Sequence, residues 1–311
     1  MIDAHAHQVP PDLPARIAAD GARLGVRLRE DGRVEFAPGH VSRPLAPALY
    51  APDPPPGCDV QIVSPWVDLL GYDLDPVRGA GWARLLNAGM PPRRALATVP
   101  LQDGRAAAAE LEWALGHGFL GVEIGTNVQG RDLSDPRLEP FWVAAQAARA
   151  PVFLHPASTI PSPRFGRYYL HNLVANPLDT TLAAASLVFG GVLDRHPDLV
   201  LILAHGGGYW PYQFGRLDRG HAVRAECRGP RRPPRTYLRA FHYDTVVHSA
   251  EALRYLVGLV GADRVLLGTD APFDMGDPDP SATLERAGVS AEDRRQIAHD
   301  TAARVFRIGA A

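Results

Sequence analysis

The sequence predicts an α/β fold, a distorted (β/α)8 TIM barrel with a small hairpin insertion after strand one. Three observations predict it. Eight short apolar runs recur along the chain, and helix-patterned segments lie between them. The length of 311 residues fits one barrel domain carrying loop insertions. Histidine and aspartate stand at the ends of several runs, and a barrel gathers such ends on one face. A doubly wound open sheet is the alternative, but no GxGxxG follows an early run.

The runs are MIDAH (1–5), DVQIVS (59–64), ALATVP (95–100), GVEIG (121–125), PVFLH (151–155), LVLILAH (199–205), AFHYDT (240–245) and RVLLGTD (264–270). Each is short, rich in Val, Ile or Leu and bounded by turn residues, as buried parallel strands are. Between them, WARLLNAGM, RAAAAELEWALGHG, PRLEPFWVAAQAARA, TTLAAASLVFGGVLDRH and SAEALRYLVGLVG carry helical spacing. The whole of 1–311 reads as a single barrel domain, with 8–57 an insertion over the barrel mouth. Within it, LGVRLREDGRVEFAPGH reads as a hairpin with Asp31-Gly32 at its turn, and the Pro-rich segment that follows as irregular. Two further insertions are expected, at 157–176 and, basic and Pro-rich, at 220–236.

Composition excludes several functions. The net charge of -2 offers no attraction to nucleic acid or to an anionic membrane. The run RGPRRPPR reads as a solvated loop or subunit contact. All 32 basic residues are Arg, so Schiff-base lysine, P-loop lysine and a carbamylated lysine bridging two metals are ruled out. Cys58 and Cys227 are too few for a disulfide framework and read as free thiols. No signal-peptide pattern opens the chain, and no apolar stretch is long enough to span a bilayer. A cytoplasmic protein is expected.

The polar strand ends carry the chemistry. His5 and His7 end the first run, His155 the fifth, His205 the sixth and Asp270 the eighth. Singly, each is more often a cap or a solvated loop residue. Together, at equivalent strand ends, three imidazoles (His5, His7, His155) and the Asp270 carboxylate suit one divalent ion, above all zinc. Strand alternation places His5 and His7 on the same side. His205 precedes Gly206-Gly207-Gly208, whose bare backbone lets a ligand approach, and reads as a general acid/base beside the metal or as a further ligand. Asp270 can serve both as ligand and as base toward a metal-bound water. Asp244 and His248 end the seventh run and suit supporting or structural hydrogen bonds. Glu123 and Asn127 end the fourth and either line the pocket or cap the next helix.

IDAHAH, FLHP, LAHGGG and GTDAPF, in this order, resemble the amidohydrolase superfamily. More narrowly, the chain resembles the metal-dependent non-oxidative decarboxylases typified by α-amino-β-carboxymuconate-ε-semialdehyde decarboxylase. The likeness covers most of the chain from about residue 58, through NPLDTTLAAASLVFGGVLDRHPDL, AHGGGYWPYQFGRLDRG and YDTVVHS. It implies one zinc on His5, His7, His155 and Asp270, and proton transfer by His205. It also implies a homodimer in which Arg216 reaches the neighbour's site to hold a substrate carboxylate, and a pocket lined by Phe273. On its own, Arg216 would be read as a surface helix residue and Phe273 as core. The family's loop arginine before strand two falls at Pro47, with Arg43 nearby. Two expected tryptophans are Ala157 and Tyr169. The metal set is therefore kept while the substrate-facing residues differ, and a different, bulkier acid fits the ring lost at Ala157.

These features lead to a zinc-dependent carbon–carbon lyase acting on an unsaturated or aromatic amino or hydroxy carboxylic acid, with metal-bound water and His205 handling the proton. The alternatives are a hydrolase, hydratase or isomerase/cyclase on the same centre, or a binding protein on an inactive barrel. Retention of every metal residue argues against the last.

Overall fold

The computed structural model describes residues 1–37, 39–157 and 162–309. The chain begins with β1 (Ile2–Gln8), then α1 (Leu13–Leu24) and an antiparallel sheet of β2 (Val26–Leu28), β3 (Arg33–Phe36) and β4 (His40–Pro44). It continues through β5 (Val60–Pro65), α2 (Pro76–Asn87), β6 (Ala97–Thr98), α3 (Gly104–Gly116) and β7 (Val122–Gly125). A small ribbon of β8 (Asn127–Val128) and β9 (Arg131–Asp132) precedes α4 (Glu139–Ala148) and β10 (Pro151–His155). Next come α5 (Asn176–Phe189), α6 (Val192–Arg195), β11 (Val200–Leu203), α7 (Trp210–Val223) and β12 (Phe241–Asp244). The chain ends with α8 (Ala250–Val260), β13 (Val265–Leu266), α9 (Pro280–Ala287), α10 (Ala291–Arg295) and α11 (Thr301–Val305).

Every strand expected from the apolar runs is present, and all eight pair in parallel. They form one sheet in the order β13-β12-β11-β10-β7-β6 and a second of β1 and β5. Backbone hydrogen bonds cross both gaps. Ala4 N–H donates to Leu267 O at 2.9 Å and His7 N–H to Ala271 O at 2.7 Å, while Leu96 N–H donates to Val63 O at 2.9 Å. Bridges at Ala6–Ala271 and Val63–Ala95 lie at the same places.

Period-two alternation decides which side chains face the site. In β10, Val152 and Leu154 pack outward into the large cluster shared with the helices. Phe153 points the other way, into a smaller cluster with Ile2, Ile62, Ile202 and Leu266, closed below by Ala302, Val305 and Phe306. His155 shares the inward face, one residue pair further along. The helices start where sequence chemistry dictates. Asp75 caps α2 through Val77 N and Arg78 N with Pro76 in the first turn, and Asp103 and Ser249 cap α3 and α8.

The first connection departs from expectation. Ahead of the Asp31-Gly32 turn it contains α1, whose buried Leu13, Ile17, Gly21 and Leu24 form a thin stripe. Beyond the turn it adds a third strand, β4. The segment TTLAAASLVFGGVLDRH breaks at Gly190-Gly191, where Gly191 takes φ 68°, so α5 and α6 are separate helices. Of the insertion expected at 157–176, residues 158–161 lie outside the described residues, and the remainder leads into α5.

Candidate metal centre

Three strands deliver the donor atoms. β1 supplies His5 and His7, β10 ends on His155, and Asp270 follows β13. One donor atom from each lies within 4.8 Å of all the others, and all four residues are buried. His5 Nε2 and His7 Nε2 are 3.3 Å apart. Asp270 Oδ1 stands 3.4 Å from the first and 3.2 Å from the second. His155 Nε2 and Asp270 Oδ1 are buried without a hydrogen-bond partner among the described residues. Orphaned polar atoms converging in a dry site are costly unless a cation sits between them. The donor set therefore fits a divalent metal.

Electrostatics point the same way. Burial acts to raise the Asp270 carboxyl, but charge on His5 and the adjacent His205 and His7 imidazoles outweigh it, holding Asp270 well below the usual carboxylate range. Burial, with repulsion from His7, His205 and His5, keeps His155 well below the usual imidazole range, so its lone pair is available. Burial also pushes His5 down, yet the Asp270 and Asp244 carboxylates prevail and raise it to about 9 in the metal-free protein.

Two buried carboxylates support the ligands from behind. Asp244 Oδ2 accepts from His5 Nδ1 at 2.6 Å and from the backbone N–H of His205 at 2.9 Å. Its Oδ1 accepts from Gly206 N–H at 2.8 Å and Val246 N–H at 3.1 Å. Holding the His5 proton on Nδ1 leaves Nε2 free to ligate. Glu123 lies on the inward face of β7, fully buried, so it neither caps a helix nor lines an open pocket. It accepts from Ser64 Oγ at 2.7 Å, and Ser64 Oγ is 3.3 Å from His7 Nδ1.

His205 Nε2 is 3.4 Å from Asp270 Oδ2, on the carboxylate oxygen turned away from His5 and His7. Both residues hold positive φ, 55° and 58°, a conformation that persists only where surroundings over-determine it. The glycines after His205 serve packing more than ligand access. A Cβ at Gly206 would meet Val247 Cγ1 at 2.3 Å, and one at Gly208 the Pro177 carbonyl at 2.1 Å. Gly208 also borders a cavity of about 330 Å³ that opens from His205 and Asp270, with His248 on its wall.

The remaining expected contacts are more scattered. Phe273 packs at a tilt against His7, ring centroids 5.4 Å apart, and the Arg43 guanidinium lies 5.8 Å from the Phe273 ring centroid and 5.0 Å from that of Trp66. Arg43 is clamped by Asp68, through Nη2 to Oδ1 at 2.8 Å and Nε to Oδ2 at 3.0 Å. Pro47 starts a single turn after β4. Tyr169 is exposed and packs edge-on against His171, and Ala157 is half-buried. Arg216 is exposed on α7. Asn127 donates to Asp179 and accepts from Gly130 N–H, structuring the β8–β9 turn.

Asp3 escaped sequence reasoning. It is buried and accepts from Thr269 Oγ1 at 2.6 Å, Thr269 N–H at 3.1 Å, Gln61 Nε2 at 3.0 Å and His5 N–H at 3.1 Å. It ties β1 to the segment carrying Asp270. A carboxylate inside the apolar run MIDAH was the available signal.

The Amidohydrolase family model matches residues 2–308, and the chain belongs to that family. A 2-amino-3-carboxymuconate-6-semialdehyde decarboxylase of Dictyostelium discoideum is 36% identical over 238 residues, covering 73% of this chain and 66% of that protein. A gamma-resorcylate decarboxylase of a Rhizobium species is 31% identical, covering 70% of this chain and 71% of that one. Among solved structures, 5-carboxyvanillate decarboxylase from Sphingomonas paucimobilis superposes with TM-score 0.79 at 22% identity, covering 99% of both chains. A dihydroxybenzoic acid decarboxylase from a Polaromonas species, solved with manganese and the inhibitor 2-nitroresorcinol, gives TM-score 0.75 at 24% identity, covering 100% and 97%. Among the described residues no helix is long and apolar enough to cross a membrane.

Proposed function

We propose that the chain is a metal-dependent non-oxidative decarboxylase of an aromatic or unsaturated hydroxy or amino acid. One observation carries the reading: Asp270 turns Oδ1 toward the His5–His7 ligand pair and Oδ2 toward His205, which opens onto a cavity. The names of the relatives and structural neighbours support it.

A divalent ion on His5, His7, His155 and Asp270 would supply a Lewis acid that polarises and anchors a substrate oxygen. His205 would donate a proton to the carbon bearing the carboxylate. The carbon–carbon bond to the carboxylate then breaks, its electron pair returns to the unsaturated system, and carbon dioxide leaves. Asp270 Oδ2, 3.4 Å from His205 Nε2, orients the imidazole for the transfer. The preferred ion is zinc, the match for a three-imidazole, one-carboxylate set, although manganese occupies a neighbour.

The two parallel sheets and the bonds between them read as one eight-stranded barrel, with 8–57 as the insertion at its mouth. Arg43 takes the carboxylate-holding role of the arginine lost at Pro47, since its Nη1 makes no hydrogen bond among the described residues while Asp68 fixes the rest of the guanidinium. Arg216, exposed and without an ion pair among the described residues, suits a site across a homodimer interface. Free Cys58 and Cys227 fit the cytoplasm.

The test is to load the purified protein with zinc or manganese and supply carboxyl-¹³C 2,6-dihydroxybenzoate and related acids in D2O. Release of ¹³CO2 with one deuterium at the vacated carbon is expected. In a parallel run in ¹⁸O-labelled water, products that keep every carbon and gain ¹⁸O would replace this reading with hydrolysis or hydration.

A further inference from the structure

The cavity beside His205 and Asp270 has an uneven wall. His205, Asp270, His248, Asn172 and Asn176 supply its polar groups, and Leu173, Pro177, Tyr212, Val247 and Met275 its larger apolar surface. Among the described residues that line it, Asp270 is the one carboxylate, and no Arg lines it. The far end opens to solvent between Leu173 and Tyr212, which are 47% and 39% exposed. Large apolar side chains left exposed around a pocket are a recognition surface more often than an accident.

We propose that this lobe takes an uncharged apolar substituent on the substrate, a short alkyl chain of roughly two or three carbons or a group of similar size. The inference rests on the decarboxylase reading for the acid's anchored end, and on the cavity alone for the lobe. Volume sets the length. An apolar cavity of about 150 Å³ holds a benzene molecule, roughly 25 Å³ per non-hydrogen atom. The cavity of about 330 Å³ therefore has room for roughly thirteen such atoms. A dihydroxybenzoic acid, with its ring and three substituents, fills most of that volume and leaves room for roughly two more atoms. An anionic group there would lose its hydration with no guanidinium on the wall, whereas each methylene leaves water favourably.

The experiment uses metal-loaded protein and 2-nitroresorcinols carrying hydrogen, methyl, ethyl, propyl or carboxymethyl at each open ring position, with affinity read by calorimetry. Binding is expected to tighten about fourfold per methylene in at least one series, levelling off near three carbons, and to fall below the parent for the carboxymethyl compound. Leu173→Asp, at an exposed position, is expected to flatten the chain-length gain. Affinities that stay level or fall with chain length in every series overturn the proposal. So does a gain undiminished in both Leu173→Asp and Tyr212→Asp. Parallel assays of the corresponding alkyl-dihydroxybenzoic acids keep the two readings apart. Tightening with chain length but no carbon dioxide from any acid leaves the lobe standing and removes the decarboxylase.

Discussion

Asp244→Asn tests the centre most sharply, because Asp244 accepts four hydrogen bonds on two oxygens. Oδ2 takes His5 Nδ1 and His205 N–H, and Oδ1 takes Gly206 N–H and Val246 N–H. In asparagine one of those oxygens becomes an NH2 group facing two donors, so two bonds are lost in either orientation. Hydrogen bonds to a charged acceptor contribute about 1.5–3 kcal/mol each, so the loss is about 3–6 kcal/mol of stability. If the amide nitrogen faces His5, the imidazole is driven to carry its proton on Nε2, where a metal must bind. Outer partners of this kind change metal affinity about 10–100-fold. Chelator competition would read the affinity, and guanidinium denaturation of the metal-free protein the stability. Asp244→Asn with an unchanged denaturation midpoint and metal affinity within twofold of the parent would refute the reasoning.

Other outcomes follow from the same geometry. Metal binding at pH 7.5 should release close to one proton per ion, because His5 is raised to about 9 in the metal-free protein and must lose a proton to ligate; calorimetry in buffers of different ionisation heat reads the release, which should fade above pH 10. His205→Asn should lower kcat by about 10²–10⁴-fold with metal content unchanged, measured by turnover and elemental analysis on the same sample. Arg43→Ala should raise KM about 10–100-fold with little change in kcat, as expected for the loss of one charged hydrogen bond to the ground state. His242, on the inward face of β12, is depressed to about 3 by burial and by Arg264 and Arg304. Its folded value lies below the unfolded one, so its stabilisation is complete above about pH 6.5 and drains away as pH falls toward 3. Between pH 6.5 and 4.5 that is about 2–3 kcal/mol, and His242→Leu should flatten this slope in urea denaturation at the two pH values.

The metal ligands were legible because they break a pattern. A histidine or aspartate closing a Val/Leu/Ile run stands out, and alternation assigns its face without knowledge of the partner strand. Supporting residues have no such contrast. Glu123 looks like a strand-end carboxylate until Ser64, 59 residues away, is seen hydrogen bonded to it. Helix α1 hid because its apolar stripe is thin, with Arg and Asp between the buried positions. Strand β4 hid because its one buried residue is Ser42. The three glycines after His205 were read as making room for a ligand. The structure fills most of that room with Val247, Tyr243 and the Pro177 carbonyl, a long-range fact that local sequence does not carry.

The contrast between the buried metal ligands and the exposed residues around them has a mechanical basis. The metal ligands are held by strand pairing and by carboxylates that each bind several elements. Asp3 joins β1 to Thr269, and Asp244 joins the His5 side chain to the His205 backbone. A change at any of these moves the metal ligands and His205 together, so substitutions there are costly. Arg43, Leu173 and Tyr212 sit instead on β4, on the segment before α5 and at the start of α7, and all three are exposed. Replacing them disturbs no ligand and opens no buried cavity, so their cost in stability is small. In this architecture the metal centre resists substitution, while the exposed residues on the connections around it are free to change.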